Sequence, residues 1–201
     1  MLDSTTAAVL GFRPHTYWTT VVTLAGEALA PRIIDRAKIV FATGDERFVY
    51  HQAAEIDAAA AEAKIAAVRK VTQANLARGI AQLVKVLKTT GLDVRLAVVP
   101  AARGKSAQNL ADIVKSHALI HAAEGDFYRD VVADACGGLD LDVSRVAERD
   151  LLLEASRSLG VHAVTLETRL KAMGRLAGPP WSEDHRLATL AAWIGIADLA
   201  A

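Results

Sequence analysis

The stretch Ala7–Gly26, AAVLGFRPHTYWTTVVTLAG, decides how the rest of the chain is read. It divides into an apolar strand, a short turn holding Pro14, and a second strand from Trp18 to Leu24 that is rich in β-branched and aromatic residues. GEALAP then supplies a turn. RIIDRAKIVFA follows with Ile33, Ala37, Ile39 and Phe41 at one parity and Arg36 and Lys38 at the other. That alternation predicts a half-buried antiparallel strand. Three strands joined by tight turns make a meander.

Working outward, a long helix is expected over about residues 53–90. Val68, Leu76, Ile80, Leu83 and Leu87 recur at near-helical spacing, and Gly91 closes the run. DVRLAVVP is a compact apolar segment of the kind that fills a central parallel strand. After the loop AARGKSAQN, with Ser106 as a helix cap, helix is expected from about Ala107 to Cys136 with a break near Gly125. Gly137 and Gly138 end it. DLDVSRVAERD reads as a shorter, more polar strand near a sheet edge. Two short helices follow, Leu151–Leu159 and Val164–Met173. GPPWSED leads into a last apolar helix capped by Ser182, with Glu183 and Asp184 in its first turn, where acids complement the helix dipole. The order β-β-β-α-β-α-β-α-α-α predicts a mixed α/β sheet, a meander plus two parallel strands, in one domain over residues 1–201 with a helical C-terminal elaboration.

Composition limits the function classes. Lys plus Arg and Asp plus Glu number 23 each, giving a formal net charge of zero. A dedicated nucleic-acid binder carries a basic excess, so any such surface here must be local. Cys136 is the only cysteine, which excludes an intrachain disulfide and a cysteine zinc cluster and suits a buried small residue. No basic segment followed by an apolar run opens the chain, and Leu187–Ala200 is too short and interrupted to span a bilayer. The expectation is a soluble, cytoplasmic protein with no membrane partner.

Several residues carry candidate chemistry. His117, His121 and Glu124 sit at i, i+4 and i+7 on one helical face, an acceptable ligand set for zinc or iron. An interface-facing polar pair is the plainer alternative. Asp184 and His185 could join that set only through the tertiary fold. Arg103 and Lys105 follow a buried strand, where open α/β sheets gather ligands, but they lack phosphate-loop spacing. Asp126, Arg129 and Asp130 read as local ion pairs. Tyr128 could stack on a base, although a core position suits it better. Arg13, His15, Tyr17 and Trp18 either line a cleft or pack the first turn. No Gly-x-Ser-x-Gly elbow is present, so no hydrolase triad is indicated.

The element order resembles the ribonuclease H-like fold, and VLGFRP resembles the strand ending in Gly-x-Asp-Pro of the bacterial Holliday-junction resolvases. SHALIHAAEGDFYRDVVADACGGLDLDVSRVAERDL and GPPWSEDHRLATLAAWIGIA resemble that family's later helix and strand and its closing acidic loop and helix. The resemblance implies phosphodiester cleavage with two metal ions held about 4 Å apart by clustered carboxylates. This sequence departs from that pattern. Arg13 stands where the first-strand acid is expected, Pro100 and Ala101 where the fourth-strand Glu is expected, and Asp184 about one turn before Leu187, the position matching the last-helix acid. Arg cannot ligate magnesium. It can hold an acid or a phosphate, or make a structural ion pair.

Three functions are therefore expected in order. The first is a non-catalytic, ribonuclease H-like binding or scaffold module with a nucleic-acid or protein partner and no cofactor. The second is an enzyme with a rebuilt, metal-dependent site in which Arg13, His15, Lys105, His117, His121, Glu124 and Asp184 converge. The third is a homo-oligomeric structural protein joined through Ala-rich faces and the Leu187–Leu199 segment.

Overall fold

The computed structural model describes residues 6–101 and 109–201. A five-stranded sheet runs in the order β3-β2-β1-β4-β5. Its strands are β1 (Thr6–Pro14), β2 (Trp18–Glu27), β3 (Ala30–Val40), β4 (Leu92–Pro100) and β5 (Asp142–Val146). β1, β2 and β3 pair antiparallel, while β4 lies parallel to both β1 and β5. The expected meander and central parallel strand are both present, and the polar β5 is an edge strand.

Alternation along β1 divides the core in two. Ala8, Leu10 and Phe12 pack on one face with α2 (Ala58–Thr89) and α4 (His117–Gly137). Val9 packs on the other with α5 (Leu151–Leu159), α6 (Ala163–Ala177) and α7 (Glu183–Ala200). β4 repeats the division, Ala97 and Val99 against Leu96 and Val98.

Three local features depart from the sequence reading. β3 does not alternate strictly, because its register against β2 shifts between Thr23 and Leu24. The bulge turns Ile33 toward α5–α7, while Ile34, Ala37, Ile39 and Phe41 face α2 and α4. The single helix expected over 53–90 is two, α1 (Val49–Ala53) and α2. Asp57 separates them, capping α2 by accepting from the Ala60 N–H at 3.0 Å. The later break falls not at Gly125 but between α3 (Leu110–Ile113) and α4, with Asn109 capping α3. Ser106 lies outside the described residues.

α7 is the helix that positions the site, and its apolar run is spent inside the fold. Residues 188–197 are all buried, so Leu187–Leu199 is a core segment and not the exposed oligomer face that the third expectation needed. It sits against β1 through an absent side chain. A Cβ on Gly11 would lie 2.0 Å from the Ala188 carbonyl oxygen and 2.4 Å from the Ala192 nitrogen. Only glycine lets helix backbone approach strand backbone this closely. The thiol of Cys136 is buried, and that burial pushes its pKa up to about 12, which leaves it unreactive.

Candidate functional site

Gly11 and Ala188 fix the geometry of a charged cluster. Arg13 lies two residues beyond Gly11 on β1, and Asp184 one helical turn before Ala188 on α7. The two side chains therefore meet at the C-terminal end of β1, where Arg13 Nε is 3.9 Å from Asp184 Oδ1. Because β1, β4 and β5 are parallel, their C-terminal ends share one edge of the sheet. Glu148, in the short 3-10 turn Glu148–Asp150 just after β5, brings Oε2 to 3.3 Å from Arg13 Nε. Neither of those atoms makes a hydrogen bond, so the contact is an ion pair only. Arg13 Nη1 donates to the Pro14 carbonyl at 2.9 Å. His15 Nε2 is 3.0 Å from Asp184 Oδ1, and its ring stacks on Trp18 with centroids 4.0 Å apart. Lys38 Nζ sits 4.0 Å from the centre of the same indole.

The approach to α7 is anchored from β3. Arg36 donates to the carbonyls of Ala177, Gly178 and Pro180 at 2.7, 2.9 and 2.6 Å. His185 does not join the charged cluster. Its Nδ1 accepts from the Ser182 N–H at 3.2 Å and lies 2.8 Å from Ser182 Oγ, closing a capping box at the head of α7. Burial first, and Arg36 second, hold its pKa below the usual histidine value.

A second cluster forms on the opposite face of the sheet. His117 and His121 occupy the start of α4, and His51 reaches them from α1. One ligating atom from each of the three imidazoles lies within 4.8 Å of the others. Glu124 is not the third member of this set. Its carboxylate is buried, 1% exposed, and turns inward. Oε2 lies 2.9 Å from His51 Nδ1, and Oε1 accepts from the Tyr50 and His51 N–H groups at 3.1 and 3.4 Å. A near-complete set of backbone and imidazole partners outcompetes the exposed i+7 geometry. Asp184 and His185 take no part, so the single seven-residue convergence of the second expectation is replaced by two clusters. Arg103 and Lys105 lie outside the described residues.

Tyr128 leaves the ligand set. It is 1% exposed, packs against Phe41 and Phe127, and donates its hydroxyl to the Glu46 carbonyl at 2.7 Å. Its pKa is raised, chiefly by burial. Asp126 pairs with Arg129 at 3.1 Å as expected, whereas Asp130 reaches across to Arg145 on β5 at 2.8 Å. Two residues of the clusters, Glu148 and His51, escape a reading of the sequence. Glu148 was legible only as an acid just past a strand end, and His51 carries no spacing relation to His117.

Sheet order, strand directions and the helix packed across β1 define a ribonuclease H-like fold. The chain matches no protein-family model and no curated protein. Among solved structures it is similar to Thermus thermophilus RuvC in complex with Holliday junction substrate, at TM-score 0.50 and 11% identity over 96% of this chain and 95% of that one. A second Thermus thermophilus RuvC structure matches at the same TM-score and identity, over 96% and 94% of the two chains. At this identity the likeness speaks for the fold. Among the described residues, no helix is long and apolar enough to cross a membrane.

Proposed function

We propose that this chain is a non-catalytic binding module on a ribonuclease H-like fold, with nucleic acid as its partner. One observation carries the reading: the Arg13 guanidinium stands at the end of β1 with Glu148 and Asp184 both drawn to it. A two-metal nuclease needs that space for cations held by carboxylate oxygen. Here a permanent side-chain cation stands in that space and pairs with both acids. Among the described residues no acid stands at the end of β4, where Pro100 closes the strand and the Ala101 N–H donates to the Val146 carbonyl at 2.8 Å. The similar Thermus thermophilus RuvC is in complex with a Holliday junction substrate, which favours nucleic acid as the partner. With zero net charge, binding is expected to be weak and confined to low salt.

The test is a low-salt titration of the protein against labelled single strands, duplexes and four-way junctions with magnesium and manganese present. Binding without cleavage is expected. Metal-dependent cleavage that disappears in Asp184→Asn overturns the non-catalytic reading. No binding to any of the three overturns nucleic acid as the partner.

A further inference from the structure

The histidine cluster has the architecture of a metal centre and is independent of the charged cluster around Arg13. Three imidazoles on two helices present ligating atoms within 4.8 Å of one another. Two nitrogens on a tetrahedral zinc lie about 3.4 Å apart, given Zn–N bonds of about 2.05 Å. His117 and His121 are both exposed, and metal binding requires their side chains to turn inward by that difference.

The support behind His51 is the second observation. A carboxylate accepts and does not donate when ionised, so the 2.9 Å contact places the ring proton of His51 on Nδ1, facing Glu124. That leaves the Nε2 lone pair available to a metal. The arrangement is the carboxylate–histidine pair that orients metal ligands and raises their basicity. Glu124 also presents a charge problem of its own. It is almost fully buried, and its one ion-pair partner among the described residues is His51. A buried carboxylate is costly unless compensated. A cation bound to His51 supplies the missing positive charge.

We infer that His51, His117 and His121 bind a divalent transition metal, zinc in the first instance, with Glu124 as the positioning residue behind His51. Imidazole nitrogens select late first-row ions over magnesium or calcium, which take oxygen. Three protein ligands leave a fourth position, and exposure of His117 and His121 opens it to water. This is the pattern of a zinc site that keeps a reactive coordination position, unlike the closed four-ligand structural type. It also ties α1 to α4.

The experiment uses the untagged full chain, stripped of metal with a chelator. It is titrated with cobalt(II), whose visible absorption reports tetrahedral coordination, and then with zinc in competition. One equivalent of tetrahedral cobalt, displaced by zinc, is expected. His117→Ala and His121→Ala change exposed positions, and circular dichroism is expected to show the fold intact. Each is expected to weaken binding by more than the roughly 100-fold that bounds outer-shell effects. Glu124→Gln keeps all three ligands and is expected to weaken it by about 10- to 100-fold. No tetrahedral absorption, or binding unchanged in His117→Ala and His121→Ala, overturns the assignment.

Discussion

The two clusters are built from similar materials and come out opposite in character. Around Arg13, charges of both signs meet and satisfy one another: a guanidinium, two carboxylates and an imidazole at the ends of β1, β5 and α7. Around His51, three donors of the same kind face one another with a carboxylate held behind them. The first arrangement holds both signs of charge without a bound ion. The second gains from a cation. The difference teaches that position in the fold does not determine chemistry. The C-terminal edge of the parallel strands is where α/β folds usually place ligands, yet here an arginine stands between two of its carboxylates. The three imidazoles gather instead on the helical layer across the sheet.

The contrast can be broken from the scaffold side. Gly11→Ala would place a methyl 2.0 Å from the Ala188 carbonyl, and backbone on both sides cannot yield. A loss of about 4 kcal/mol or more is expected in chemical denaturation. Displacement of α7 should separate Asp184 from Arg13 while the histidine cluster, on the other face, keeps its cobalt spectrum. Loss of both signals together would show that the two regions are not independent.

A smaller effect is expected from reversing the charge at the cluster itself. Arg13→Asp would set a third carboxylate beside Glu148 and Asp184, half-buried and with only His15 as a partner. A destabilisation of about 2–3 kcal/mol is expected, below the range for fully buried pairs because water screens part of it. For a chain of this size that corresponds to a fall in Tm of roughly 5–10 °C. Added manganese should restore most of it, since the variant presents hard oxygen ligands to the ion. The wild type should show no such rescue.

The smallest effect concerns the cap of α7. His185 is held below its usual pKa, so the folded state binds its proton less readily than the unfolded chain does. The unfolded state therefore carries more protons as pH falls toward and below about 6.5, and stability declines in that direction. Protonation also removes the Nδ1 lone pair that accepts from Ser182. A modest fall in stability between pH 7.5 and 5.5 is expected from this group. His185→Asn should flatten that part of the profile, as measured by thermal melts across the range.

Much of the fold was legible because it rests on local patterns. Apolar runs, turn residues and the Ser182 cap place β1, β2, β4, β5 and the last three helices close to where they lie. The missed features have a common physical origin. The bulge near Ile34 inverts a parity that a period-two reading holds constant. Asp57 is a helix cap inside an alanine-rich run that reads as continuous helix. The sites were less legible still. His117 and His121 share a helix and could be paired from spacing, but His51 joins them only through tertiary packing. Glu124 has the right spacing for a ligand and the wrong burial. Arg13 was recognisable as a departure from a family pattern, whereas Glu148, its nearest acid, became visible only when parallel strands brought their ends together.

The central claim is that Arg13 fills the cation position of its own carboxylate cluster. Calorimetric titration with manganese(II) tests it most directly, comparing the wild type, Asp184→Asn and Arg13→Asp. The account predicts no Asp184-dependent manganese site in the wild type and the appearance of one in Arg13→Asp. A stoichiometric manganese site in the wild type that vanishes in Asp184→Asn would contradict it.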